Sequence, residues 1–336
     1  METSISLNGQ KILLVTDAWL PQVNGVVTTL NTIYELCNMQ VFHPELVKYI
    51  KFPFYKEIPL CYTFKGLKEY IKNAEYIHIA TEGPLGLYAK LYCDFKGYKY
   101  TTGYHTNFDQ LLKDNYNIPF FITNFFIKFF HNKSEKILVP SLSTAIKLNS
   151  INLNNTIIWT RGVTQNFVFN DELVKLNKIL RLLYVGRISK EKNIKNFLDT
   201  EIGIPHKKIV IGDGPMLRQY QKEYLDVNFL GTLVGDQLVK EYQKANVFVF
   251  PSRFDTFGLV QIEAMYCGTP VAAYNVPGPE DVIDQNRTGY ISNNLKYSIL
   301  KCLHLDRKSV AKRAREMWSW DACLDIFISS LVKKER

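Results

Sequence analysis

Short apolar runs, separated by segments of helical periodicity, set the rhythm of the chain. KILLVT (11–16) predicts a first strand; a loop, DAWLPQVNG, and a helix from about Val26 to Cys37 follow. EYIHIA (75–80), YKYTTGY (98–104) and KILVP (136–140) predict further strands, and TIIWTRG (156–162) closes this half. The rhythm restarts at ILRLLYVG (179–186) and runs on through KIVIGDG (208–214), VNFLG (227–231), NVFVFPS (246–252) and TPVAAYN (269–275). Strands alternating with helices imply βαβ units and parallel sheets. Two such series predict an α/β chain of two doubly wound, Rossmann-like domains facing across a cleft that takes the ligand. The polar stretch VTQNFVFNDELVKLNK (163–178) is the expected linker, which divides the chain into domains 1–165 and 166–318.

The length agrees with this division, since 336 residues exceed what one core usually holds, about 250–300. A hydrophobic share of 46% excludes a disordered chain. The net charge of +9 points to anionic partners: phosphorylated small molecules, a negative membrane surface or nucleic acid. The six cysteines lie far apart with no C-x-x-C pair, which argues against zinc and a disulfide framework and for a reducing compartment. METSISLNGQ has no apolar core, so a cytoplasmic location is expected. The longest uncharged apolar stretch, 116–127, is far short of the ~20 residues that span a bilayer.

Several chemistries are excluded by their missing signatures. There is no G-x-G-x-x-G after the first strand, no P-loop, no H-E-x-x-H, no G-x-S-x-G and no D-x-D. A bound phosphate must then be held by side chains and helix ends.

The positions that could do so follow strands. In GRISKEKN (186–193), Arg187 and Lys192 can neutralise a diphosphate without a metal, or can belong to a solvated basic loop. In RFDTFGLVQIEAMYCGTP (253–270), Asp255 or Thr256 can cap a helix starting near Phe257. The amides of Phe257, Gly258 and Leu259 would then face an anion, and Glu263, further along, could accept from hydroxyls. Asn24-Gly25 can wrap a phosphate or make a turn. His105, in YHTNFD, is a general base or a positioning donor, whereas His78 and His131 suit packing. The run IPFFITNFFIKFFHNK (118–133) places Phe121, Phe125 and Phe129 on one helical face. That face belongs to the core or to a membrane interface, where Lys128 and Lys133 would help.

Together these stretches resemble the family 4 glycosyltransferases of the GT-B fold. VTDAWLPQVNGVVTTL, HIATEGPLG, TTGYHTNFDQ, LLYVGRISKEKN, VIGDGP and FVFPSRFDTFGLVQIEAMYCGTPVAAY carry the likeness in corresponding order, from about Lys11 to Asn294. It is closest to a bacterial-type subgroup of mannosyl- or glycolipid-forming transferases. The resemblance implies transfer of a hexosyl group, with retention and without metal or other cofactor, from a UDP- or GDP-sugar to a lipid or glycan hydroxyl. It implies no nucleic-acid partner and a peripheral place at the cytoplasmic membrane face. Arg187 and Lys192 match the pair that grips the donor diphosphate. Phe257, Gly258 and Leu259 offer amides, Glu263 takes the ribose, and Asp255 faces the sugar, one methylene shorter than the usual Glu. His105 stands beside the donor sugar, and Gly25 stands where many members have Gly-Gly. Glu82 and Asn107 are candidates for the acceptor side. The segment 319–336 would return to the first domain. The same architecture also serves nucleotide-sugar 2-epimerases and could serve a non-catalytic nucleotide-sugar-binding protein.

Overall fold

The four residues of β1 (Ile12–Val15) are all buried, as strands covered on both faces must be. In the computed structural model, which describes residues 11–22, 24–51, 59–105, 119–164, 166–175, 178–253, 255 and 257–335, the chain divides into two compact units. Asn107 and Thr256 lie outside the described residues.

The first unit, residues 1–160 and 321–336, holds β1, β2 (Gln40–Phe42), β3 (Tyr49–Lys51), β4 (Pro59–Cys61), β5 (Tyr76–Ile79), β6 (Thr101–Gly103), β7 (Lys136–Val139) and β8 (Thr156–Ile158). Six of these form a parallel sheet in the order β2-β1-β5-β6-β7-β8, while β3 and β4 pair antiparallel. The C-terminal segment completes this unit. Trp159 Nε1 donates to the Cys323 carbonyl at 3.0 Å, Phe327 packs on Trp159 and His78, and Lys334 Nζ donates to the carbonyls of Ile71 and Lys72. The last contact places a cation at the negative end of the helix Leu67–Asn73.

The second unit, residues 161–320, holds β9 (Leu180–Val185), β10 (His206–Ile211), β11 (Asn228–Phe229), β12 (Val247–Phe250), β13 (Val271–Tyr274) and β14 (Gly289–Ser292). They form one parallel sheet, ordered β11-β10-β9-β12-β13-β14. The stretch expected as a linker belongs to this unit. Val163 is buried in its core, Phe167 packs on Tyr242, Gln243 Nε2 donates to the Val168 carbonyl at 2.8 Å, and Arg307 pairs with Asp171. Isolated apolar side chains and two polar contacts thus anchor a stretch whose pattern reads as polar.

The helix Phe120–His131 buries only Thr123, Ile127, Phe130 and His131. Its Phe121 and Phe125 are 72% and 74% exposed, so the face spaced by four points to solvent rather than into the core. Among the described residues, no helix is long and apolar enough to cross a membrane. All six cysteines are free and buried.

Candidate functional site

In the second sheet the chain leaves β9 for β10 and β11 on one side, then returns to β12 on the other. Loops leaving neighbouring strands in opposite directions part at their carboxyl ends and open a crevice. The two loops concerned are 186–193, with Arg187 and Lys192, and 251–258, with Asp255, Phe257 and Gly258. Two bonds tie them together. Asn193 Nδ2 donates to the Pro251 carbonyl at 2.9 Å, and the Lys192 ammonium donates to Asp255 Oδ1. Arg187 carries a looser contact, Nε to Glu191 Oε1 at 3.9 Å. The GDGP loop after β10 backs the first loop. The Ile188 amide donates to the Asp213 carbonyl at 2.9 Å, and the Met216 amide donates to the Ile188 carbonyl at 3.0 Å. A Cβ on Gly214 would lie 2.7 Å from the Ile188 nitrogen, so only glycine permits this backing.

The helix after β12 runs Leu259–Tyr266 and starts two residues later than the sequence suggests. Its N-cap is Gly258 in the left-handed region, with no side-chain cap. Asp255 is therefore not the cap, and its Oδ1 accepts from Lys192 instead. A Cβ on Gly258 would meet the Phe250 ring at 2.8 Å and Gln261 Nε2 at 2.9 Å, and its φ of +81° is strained for any other residue. The Phe257 side chain is buried edge-on to Trp318, so only its backbone can serve a ligand. The amides of Phe257, Gly258 and Leu259 have no hydrogen-bond partner among the described residues and stand at the positive end of the helix.

Glu263 lies half-buried between the buried Ile262 and Ala264 and accepts from the Tyr242 hydroxyl at 2.9 Å. Burial pushes its carboxyl up to about 7, against the opposing pull of that hydroxyl. A carboxylate held this way, with no cation beside it among the described residues, suits a ligand that brings donors.

In the first sheet the same reversal falls between β1 and β5. There the helix end is filled by the chain itself. Asp17 Oδ1 accepts from the Leu85 amide at 2.8 Å, and Oδ2 from the Gly86 amide at 3.1 Å and the Thr81 hydroxyl at 3.0 Å. These groups head the helix Pro84–Lys96. Burial pushes the Asp17 carboxyl up to about 6, while its amide and hydroxyl partners pull it down and Glu82 pushes it further up. The stretches VTDAWLP and TEGPLG thus meet through Asp17, and the first unit's helix end already holds its anion. Gly25 is exposed as the first residue of the helix Gly25–Cys37, which Asn24 caps through Oδ1 and the Val27 amide at 2.9 Å. His105 is buried at the end of β6 against the Trp159 ring.

Glu82 is buried, with Oε1 3.3 Å from His131 Nε2. The hydrogen-bond polarity behind His131 can be followed. The Ser134 hydroxyl donates to the Lys136 carbonyl at 2.7 Å, so it accepts from Thr102 at 2.9 Å. Thr102 has then used its hydrogen and accepts from His131 Nδ1–H at 2.8 Å. A bond between His131 Nε2 and Glu82 therefore needs one further proton between them. His131 does more than fill space.

The second unit brings together Arg187, Lys192, Asp255, Phe257, Gly258, Leu259 and Glu263, while Gly25, Glu82 and His105 belong to the first. Asp17 and Tyr242 are the residues that sequence spacing does not reveal. Asp17 lies 64 positions from Thr81, and Tyr242 lies 21 from Glu263.

Residues 169–303 match the family described as glycosyl transferases group 1. The sulfoquinovosyl transferase of Arabidopsis thaliana is 28% identical over 272 residues, covering 72% of this chain and 52% of that protein. The GDP-mannose-dependent alpha-mannosyltransferase of Corynebacterium glutamicum is 24% identical over 316 residues, covering 84% and 76%. The alpha-monoglucosyldiacylglycerol synthase of Streptococcus pneumoniae is 24% identical over 344 residues, covering 87% and 78%. The chain thus spans about half the length of the first of these relatives. Among solved structures, sucrose-phosphate synthase from Thermosynechococcus elongatus is similar with a TM-score of 0.76 at 19% identity, covering 95% of this chain and 98% of that one. Anabaena HepE in complex with UDP and glucose has a TM-score of 0.71 at 14% identity, covering 96% and 99%. At such identities the likeness shows the fold, two parallel-sheet units of the GT-B kind.

Proposed function

We propose, from the premise that residues 169–303 are a group 1 glycosyl transferase domain in a chain of the GT-B fold, that this protein is a hexosyltransferase. It moves a hexosyl group from a UDP- or GDP-sugar to a hydroxyl of a membrane lipid or glycan, with retention and without a metal. The observation that carries this reading is the pair of loops at the second sheet's reversal. They hold Lys192, Arg187 and helix amides that have no partner among the described residues, beside a carboxylate, Glu263, that has no cation among them. A diphosphate suits the first group, and a ribose suits the last. The GDP-mannose named for one relative and the glucose and UDP named for a structural neighbour are the donor classes to try.

In this reading Arg187, Lys192 and the amides at Gly258 and Leu259 steady the leaving diphosphate as its charge grows. The leaving oxygen takes the proton of the attacking hydroxyl on the same face, which preserves the anomeric configuration. His105 positions the sugar, and Glu82 and Asn107 serve the acceptor. Incubating the chain with UDP-glucose or GDP-mannose and a diacylglycerol-bearing vesicle is expected to give an α-linked product by NMR, undiminished by a chelator. A β-linked product or strict metal dependence would overturn the mechanism. Interconversion of the donor alone would instead mark an epimerase.

The lipid acceptor draws support from the exposed aromatic face. Phe121 and Phe125 project from the helix Phe120–His131, and Phe95 is 81% exposed on the neighbouring helix Pro84–Lys96. Lys90 joins the two helices by lying 4.1 Å over the Phe129 ring. Lys128 and Lys133 are exposed at the same helix and just beyond it. Aromatic rings beside lysines suit the anionic interface of a cytoplasmic membrane face. Binding to vesicles with anionic lipid is expected at low salt. It should be lost in Phe121→Glu/Phe125→Glu with melting unchanged, because these side chains bury little. Flotation measures it, and a wild-type chain that stays off the vesicles would sink this part of the reading.

A further inference from the structure

Lys192, the cation assigned to the donor, already has a partner within the chain. Its ammonium donates to Asp255 Oδ1, with the two side chains 32% and 18% exposed. Asp255 Oδ2 is buried and takes no hydrogen bond among the described residues. Lys192 is thus the one hydrogen-bond donor to the Asp255 side chain there. An entering diphosphate offers more charge and more acceptor oxygens than one carboxylate, so it competes for the ammonium. Once Lys192 turns to phosphate, Asp255 is left without a donor among the described residues, which is costly for a largely buried carboxylate.

We propose that Asp255 is the resident counter-ion of Lys192, and that its exchange for the diphosphate makes the site tell intact donor from spent nucleotide. An intact donor brings sugar hydroxyls that can donate to Asp255 and replace what Lys192 gave. A nucleoside diphosphate brings none and leaves the carboxylate unpaired. The exchange therefore weakens the hold on product relative to donor and favours release after transfer. It rests on the donor-site reading above and adds a specificity role for Asp255.

Calorimetric titration of the full chain with UDP, GDP, UDP-glucose and GDP-mannose tests it. Asp255→Asn keeps the side-chain shape and removes the charge. For the base that binds, this variant is expected to hold the nucleoside diphosphate about three- to tenfold more tightly than wild type does. It should hold the nucleotide sugar no more tightly than wild type. Asp255→Ser should change nucleoside diphosphate affinity in the same direction, and the gain should vanish when Lys192→Gln is added to either variant. Unchanged or weaker nucleoside diphosphate affinity in both Asp255 variants overturns the exchange, as does a gain that survives Lys192→Gln. A wild-type chain that binds none of the four overturns the donor-site reading and the exchange with it.

Discussion

Replacing Arg187 or Lys192 by alanine is expected to slow sugar transfer by about 10²–10³-fold, the usual cost of losing one preorganised group that faces growing charge. The diphosphate gains negative charge as its bond to the sugar breaks, so both cations matter more in the transition state than in the bound donor. The loss should therefore fall mainly on kcat, with a smaller rise in KM. The two variants should differ in one respect. Lys192→Ala also strips Asp255 of its counter-ion, so it should lower the melting temperature more than Arg187→Ala, whose contact to Glu191 is a looser 3.9 Å. Steady-state kinetics beside thermal melts read both effects. Near-normal turnover in either variant would remove that residue from the donor site.

Glu263→Gln is expected to stabilise the fold at alkaline pH while damaging nucleotide binding. The Glu263 carboxyl sits at about 7 because burial disfavours its charge. An acid whose folded value is raised holds its proton more tightly folded than unfolded, so stability falls as pH rises from the ordinary carboxylate range through about 7. Above that, the whole cost of the buried charge is present, about 2–3 kcal/mol after allowing for the partial exposure of the group. Glutamine has no charge to bury and can still accept from Tyr242. The variant should thus melt higher than wild type at pH 8, with the gap closing towards pH 5. Nucleotide affinity should move the opposite way. A ribose diol donates best to the ionised form, so wild-type affinity should fall as pH drops below about 7. In Glu263→Gln it should be lower and flat. Melting curves and nucleotide titrations at both pH values check this, and a variant less stable than wild type at pH 8 would refute the desolvation argument.

What the sequence disclosed depended on how deeply each element is buried. ILLV, VFVF and VAAY are covered on both faces, so they stand out as continuous apolar runs. β2 and β14 are sheet edges of three and four residues, partly exposed, and leave almost no pattern. The stretch 163–178 reads as a linker because its anchors, Val163 and Phe167, are separated by polar residues and find their partners far along the chain. The candidate site was more legible than the edges, since Arg187, Lys192 and Asp255 lie in loops after strands and Glu263 in the helix that follows the second of these loops. Two of its features were not. Gly258 bends into the left-handed region and delays the helix, which a capping pattern cannot show. The pairing of Lys192 with Asp255 spans 63 positions, so a donor ligand and an internal ion pair look the same in the sequence.

The central claim is that the loops after β9 and β12 hold the diphosphate of a sugar nucleotide. The most direct measurement is a thermal-shift panel of UDP, GDP, UDP-glucose and GDP-mannose on wild type, Arg187→Ala and Lys192→Ala. Ligand at 100 times its dissociation constant stabilises by about 2.7 kcal/mol, which such a scan resolves. The expected result is a shift of the wild-type chain by nucleotides of one base, and a much smaller shift in both variants at the same concentration. A wild-type chain that no member of the panel shifts, or a shift undiminished in the variants, would contradict the claim.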